Sequence, residues 1–277
     1  MTEVTVTENH PAGPGSTFTT SATPAGTYAG LRGSKDALPA ARAAAGKVTD
    51  AVKDAPVVIE ENAAALVRAV RHLAADGHTR FADLGGGPPM QGMDARKLPD
   101  LCVVAAQEQP ATRWLLLDSD VIALMHARAS IGRLPGVAVI KEDLRNTDQV
   151  IAALDEHLGL DNPIVVILGA VVHFLDDHEA GRVMRALRER LAAGSVVVVT
   201  HLTSTGVDPD MVTAGKAAYE AAHGIPIYPR TREEITALAA GLTILEPRVV
   251  PTVDFLPPEE GPPPTPAPHF LMWMAER

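Results

Sequence analysis

Three carboxylates close apolar runs: Asp83 in RFADLGGGPP, Asp118 in RWLLLD and Asp143 in VAVIKED. In an open parallel sheet, ligands bind beyond the carboxyl ends of the strands, so an acid there faces the ligand. The turn Gly85-Gly86-Gly87 after Asp83 lets backbone approach without a Cβ in the way. Asp118 offers two acceptor oxygens, the pattern a ribose diol requires. It stands farther beyond the glycines than the roughly 20 residues usual for that role, and an insertion near MDARKLPD (93–100) accounts for the excess. Asp120 competes for the ribose or caps the next helix. Asp143 either accepts the adenine amino group or caps a helix in the same way.

The glycine turn admits several ligands. A P-loop needs Lys and Ser or Thr after its last glycine, and here Pro88, Pro89 and Met90 follow. A dinucleotide fingerprint needs a third glycine where Met90 stands, and the two prolines lack the N–H donors a pyrophosphate wants. The pattern D-x-G-x-G suits S-adenosylmethionine (SAM), which carries no phosphate, so the missing donors cost little. A plain tight turn between strand and helix also fits. The expected cofactor-binding set is Asp83, Gly85, Gly87, Gln91, Asp118 and Asp143.

A fourth apolar run ends in GAVVHFLDD and a fifth in VVVVTHL. His173 stands where a base would reach a transferring group, and an imidazole with an ordinary pKa near 6.5 can take a proton from a hydroxyl or amine. It can equally be a buried histidine donating to a carbonyl. His201 ends the neighbouring run, so both are candidate catalytic residues, with Phe174 beside them on the substrate side. Arg32, Lys35 and Asp36 precede the first helices. A basic pair there can hold a carboxylate, phosphate or sulfate, or simply be solvated. Asp176 and Asp177 read as helix caps. Tyr219, Tyr228 and Trp273 line the substrate side or the core, and Met125, Met184 and Met211 read as core. With one cysteine, Cys102, and no third ligand near the histidines, no metal site is expected.

These residues need a scaffold that brings strand ends together. Apolar runs at 80–84, 113–118, 137–143, 164–174 and 195–202 alternate with helical stretches at 119–131, 146–158 and 177–192. Continuous apolar strands between helices mean a parallel sheet covered on both faces. The pattern predicts a doubly wound α/β domain over 77–277. Gly194 reads as the glycine after the last of these helices. A helix near 208–223 follows, then TREE, a capping box at Thr231, a sixth strand at 241–247, a proline-rich loop at 257–269 and a last strand at 269–276. That late antiparallel hairpin is the ending of a seven-stranded class I methyltransferase (Rossmann-like) sheet. Residues 28–76 predict an N-terminal helical cap, with helical propensity over 36–54 and apolar positions 63, 66, 67, 70 and 73 on one helix face. Residues 1–27, rich in Thr, Gly, Pro and Ser, predict a flexible tail.

Composition narrows the partners. Hydrophobic residues make up 46% and aromatics only 4%, so Ala, Val and Leu fill the core. Acids outnumber Lys and Arg, 34 to 24, for a net charge of −10. Such a chain gains nothing from a phosphate backbone, so no nucleic-acid partner is expected. The apolar segments IVVIL and SVVVVT are too short to span a bilayer, and the first ten residues do not resemble a signal peptide. A cytoplasmic protein acting on a small molecule is expected.

The segments GLRGSKDALPA, ENAAALVRAV, FADLGGGPPMQG, LLLDSDVIALMHAR, KEDLRN, VVHFLDD and VVVTHLTS together resemble the actinobacterial S-adenosyl methyltransferase family, once grouped as domain of unknown function 574. The resemblance runs from Tyr28 to the C-terminus. It implies a class I methyltransferase fold with a helical cap, SAM as cofactor, and a small, natural-product type of acceptor. The chain departs from the family pattern at Pro88-Pro89-Met90-Gln91, where a Thr is usual, at Arg32, Ser34 and Ala37, and in the 93–100 insertion. These departures motivate a second expectation: an enzyme of this fold that performs an elimination or an intramolecular ring closure, for example of aziridine type. Asp83, His173 or His201 would then be the base, Arg32 or Lys35 would hold the leaving group, and a small partner protein or a homo-oligomer would complete it. A nucleoside-binding module and a nicotinamide oxidoreductase fit less well, the latter because of Met90 and the C-terminal hairpin.

Overall fold

The computed structural model of the chain describes residues 21–89, 98–256 and 269–277. Gln91, most of the 93–100 insertion, the first twenty residues and nearly all of the proline-rich loop lie outside the described residues.

Three helices come first: α1 (Pro24–Leu31), α2 (Pro39–Ala51) and α3 (Ala55–Ala75). Each has proline in its first turn, where the missing N–H costs nothing. On α3 the five apolar positions read from the sequence are all buried. Helix α1 begins at Pro24, inside the stretch read as tail, and Thr23 caps it by accepting from Gly26 N at 3.1 Å.

The sheet then alternates with its helices: β1 (Arg80–Leu84), α4 (Leu101–Glu108), β2 (Arg113–Asp118), α5 (Val121–Ala129), β3 (Val137–Lys141), α6 (Thr147–Leu158), β4 (Val165–Gly169), α7 (Asp177–Arg190) and β5 (Val196–Leu202). Helices α8 (Pro209–His223) and α9 (Arg232–Ala237) precede β6 (Thr243–Ile244), β7 (Val250–Pro251) and β8 (Phe270–Glu276). The spatial order is β3-β2-β1-β4-β5-β8-β6, with β7 also on β8. The pairs from β3 to β5 are parallel, whereas β8 runs antiparallel to β5, β6 and β7. This is the doubly wound, methyltransferase-type sheet with its reversed C-terminal strand.

Alternating side chains feed two cores. Phe81, Trp114, Ile167 and Val198 pack under α3 and α4. Ala82, Leu117, Leu168 and Val199 pack under α6 and α7. Valine and isoleucine dominate because a strand buried on both faces favours β-branched side chains.

Four details depart from the sequence reading. The sixth strand is two short segments, since Pro247 has no N–H for a ladder and Arg248 takes φ +73° before the chain rejoins β8 at Val250. The seven positions of the sheet are therefore filled by eight strands. The third strand stops at Lys141, leaving Asp143 in the following loop. Helix α7 ends at Arg190 with Leu191 after it, so Gly194 serves the turn into β5 instead. Met125 and Met211 are exposed, although Met184 is core. Among the described residues no helix is long and apolar enough to cross a membrane.

Candidate functional site

The chain leaves β1 toward β2 and β3 on one side, and β4 and β5 lie on the other. Divergence of the loops at such a switch point opens a crevice. A cavity of about 390 Å³ lies there, floored by the strand ends and roofed by α1 and α8.

The floor is the turn after β1. Gly85 and Gly87 hold φ +79° and +66°, a region that disfavours side chains. A Cβ on Gly85 would lie 2.5 Å from Val171 Cγ2, and one on Gly86 would lie 2.7 Å from the Asp83 carboxylate. Glycine is therefore needed twice over. Gly85 N donates to Leu117 O at 2.7 Å, tying the turn to β2. Gly87 N donates to Asp118 Oδ2 and Asp120 N to Asp118 Oδ1, both at 2.8 Å. With Ser119 as a further backbone donor, the Asp118 carboxylate still keeps acceptor capacity for a ligand.

Electrostatically this end of the cavity is costly. Asp83 is buried, and burial, then Asp118, then Asp100 push its pKa up to about 7. Asp118 is also raised, chiefly by burial and against the pull of its backbone donors. Asp120 and Glu142 join them along the wall. Asp143 accepts from Arg145 N at 2.8 Å, and the Arg145 guanidinium holds Glu179 at 2.9 Å and Phe174 O at 3.0 Å. Asp83, Asp118, Asp120 and Glu142 have no ion-pair partner among the described residues, and carboxylates so gathered form a site prepared for a cationic ligand. The glycine cradle and this donor-poor acidic rim fit SAM, whose sulfonium and ammonium are positive and which lacks phosphate.

The opposite end is apolar and aromatic. His173 lies buried in the 3-10 turn Val172–Phe174 after β4, edge-on to Phe174 with ring centroids 4.4 Å apart. Leu202 N reaches its Nδ1 at 3.5 Å, which assigns the ring proton to Nε2. Burial holds its pKa well below the ordinary value, with His201 and Arg230 adding to the effect, so the ring is neutral at pH 7. Phe174 stacks on Tyr219 of α8, and Tyr219 stacks on His223. Thr27 of α1 meets His223 Nε2 at 2.7 Å, and Thr23 donates to Asp120 Oδ2 at 2.5 Å. Two threonines thus pin α1, one to the end of α8 and one to the start of α5.

A family model for S-adenosyl methyltransferases matches residues 14–274. The chain belongs to the S-adenosyl methyltransferase family. A candidate methyltransferase from Thermobifida fusca YX is 28% identical, with 93% of this chain and 96% of that one aligned and a TM-score of 0.84. A DUF574 family protein from Streptomyces avermitilis MA-4680 is 26% identical, covers 94% and 98%, and gives 0.83. No functionally curated protein matches the sequence.

In this methyltransferase the cavity brings together Asp83, Gly85, Gly87, Asp118, Asp143, His173, Phe174 and Arg32 from the sequence-predicted set. Gln91 lies outside the described residues. His201 does not line the cavity. Its neighbour Leu202 does, and alternate residues on a strand face opposite ways. The His201 ring is fully engaged, donating from Nδ1 to Leu202 O at 2.8 Å and accepting from Arg230 Nη1 at 2.8 Å. Lys35 and Asp36 are exposed and stand outside the cavity, whereas Ser34 turns inward. Trp273 is core, its Nε1 donating to Ile235 O at 3.2 Å.

Sequence reasoning missed Tyr28, Asn62, Arg145 and Lys216. Tyr28 is partly buried in the roof, accepts from Asn62 Nδ2 at 2.8 Å, and lies under Arg32. Its place at the start of the family resemblance is the one signal that could have marked it. Lys216 follows a glycine on an Ala-rich helix and carries no motif.

Proposed function

We propose that this protein transfers the methyl group of SAM to a small-molecule acceptor. The observation that carries the reading is the shared cavity: the Asp83–Gly87 cradle at one end opens directly onto His173, Phe174 and Tyr219 at the other. SAM supplies an electrophilic methyl group on its sulfonium. Asp118 holds the ribose diol, Asp83 faces the cationic end, and the glycine backbone sets the distance of approach. Transfer of this kind rests on placing the acceptor in line and excluding water, which the roof helices and the aromatic wall provide. Neutral His173, with its proton on Nε2, is placed to donate to the acceptor's oxygen and orient it. Calorimetric titration with SAM and with S-adenosylhomocysteine tests the reading. Micromolar binding of both, weakened at least tenfold by Asp118→Ala, is expected. Absence of binding to folded protein would overturn it.

A second reading has one observation in its favour. Asp83, with a pKa near 7 and facing the cavity, is poised to take a proton at neutral pH. In an intramolecular ring closure an amine nitrogen would form a bond to carbon, its proton would pass to Asp83, and an anionic leaving group would depart toward Arg32. Mass spectrometry separates the two: methyl transfer adds a CH2 to the acceptor, whereas closure removes the leaving group and a proton.

A further inference from the structure

The charges around the cavity are segregated. Among the described residues, every carboxylate that lines it, Asp83, Asp100, Asp118, Asp120, Glu142 and Asp143, belongs to the side built by β1, β2 and β3. The side built by β4, β5, α1 and α8 has no lining acid among the described residues, and it carries cations. Arg145 stands with the acids instead, in the loop after β3, held by Asp143 and Glu179. On the acid-free side two cations are available. Lys216 has no acid within 4.0 Å among the described residues, and Arg32 has only a 3.4 Å contact to the half-exposed Glu60. The same cavity has an apolar wall made by Phe174, Tyr219, Leu202, Ile225 and Ile227.

From this segregation we infer that the acceptor is a flat, largely apolar molecule carrying a carboxylate, and that Lys216 and Arg32 bind that carboxylate. This rests on the methyl-transfer reading for what happens next, but the binding chemistry stands by itself. A carboxylate placed at the β1–β3 end would face several acids, one of them, Asp83, already pushed up to about 7 by burial and then by Asp118 and Asp100. On the α1 and α8 side it meets Lys216 and Arg32, with the half-exposed Glu60 the acid paired to Arg32. Guanidinium and ammonium groups are the usual partners for such an anion. The aromatic wall suits a planar body, since rings stack at low entropic cost. With a net charge of −10, the protein as a whole repels an anion, so the preference must come from this local pair. The pair also differs from that expected from sequence, because Lys216 takes the part given to Lys35.

The test compares two probes of the same shape, 1-naphthoate and its neutral amide, 1-naphthamide, by calorimetry on the full chain saturated with S-adenosylhomocysteine and again without it. Naphthoate is expected to bind at least tenfold more tightly than naphthamide. Lys216→Met, at an exposed position whose loss leaves the fold intact, is expected to reduce that ratio below threefold while S-adenosylhomocysteine affinity holds. Arg32→Met is expected to reduce it independently. Equal binding of the two probes, binding of neither, or a ratio unchanged in both variants would overturn the inference. If S-adenosylhomocysteine fails to bind but the naphthoate preference persists, the methyl-transfer reading fails and the anion site stands. The converse result separates them the other way.

Discussion

Replacing Asp83 by Asn should make the ligand-free protein more stable and a poorer binder. In the fold this carboxyl gives up its proton near pH 7, whereas the unfolded chain does so near the ordinary 3.8. A rise of that size is a preference of about 4 kcal/mol for the neutral form. The folded state therefore binds the proton more tightly than the unfolded state does. Asp83's contribution to stability is complete below about pH 4, and it is lost as pH rises through 7. Asparagine imitates the neutral acid at every pH. Asp83→Asn should gain up to about 4 kcal/mol at pH 8, and for a chain of this size each kcal/mol moves the midpoint by roughly 2 °C. A thermal midpoint raised by roughly 4–8 °C at pH 8, shrinking toward zero near pH 4, is the expected result from calorimetric scans. The same substitution should weaken SAM, because a cationic ligand prefers the ionised acid. In the wild type, SAM affinity should fall about tenfold from pH 8 to pH 6, where only about a tenth of Asp83 is charged, and the variant should show no such slope. An unchanged or lowered midpoint at pH 8 would refute the claim that burial beside Asp118 and Asp100 penalises this charge.

Other residues give equally direct expectations. Gly85→Ala forces a side chain onto a φ of +79° and against Val171 at 2.5 Å, so it should cost about 1–3 kcal/mol and weaken S-adenosylhomocysteine binding, read by denaturant titration and calorimetry. Arg230→Met removes the buried donor to Val172 O, Leu175 O and His201 Nε2, which should lower stability by about 2–4 kcal/mol in the same denaturant experiment. Thr27→Val breaks the contact with His223. It should speed amide hydrogen exchange in α1 several-fold, with the β4 and β5 amides unaffected, as mass spectrometry would read.

How far the sequence led can be judged element by element. Strands such as SVVVVTHL announce themselves because a sheet buried on both faces needs unbroken β-branched runs, and TREE announces its helix because the capping box is local. The floor was equally legible, since a turn that must avoid both Val171 and Asp83 leaves only glycine. The roof was not. Thr27 meets His223, and Tyr28 meets Asn62, across separations that no local pattern records. His201 shows a different limit. A strand end can be placed to a residue, but a one-residue difference in facing decides between a pocket and a core, and here Leu202 took the pocket. Lys216 was invisible because a lone lysine on a helix reads as solvated until the opposite wall is known.

Placement of β8 has a consequence for how the molecule assembles. Neither β6 nor β7 has any other strand partner among the described residues; both reach the sheet only through β8, which itself rests on β5 along seven paired positions. β5 must therefore be in place before β8 can dock, and β8 before the edge can exist. The pairing of Val196 with Glu276 closes a long loop, and contacts so distant in sequence form late because their entropy must be met before they contribute. The β1 to β4 part of the sheet can thus reach its native register while the far edge is still unmade, so the cavity floor forms early and the edge forms last.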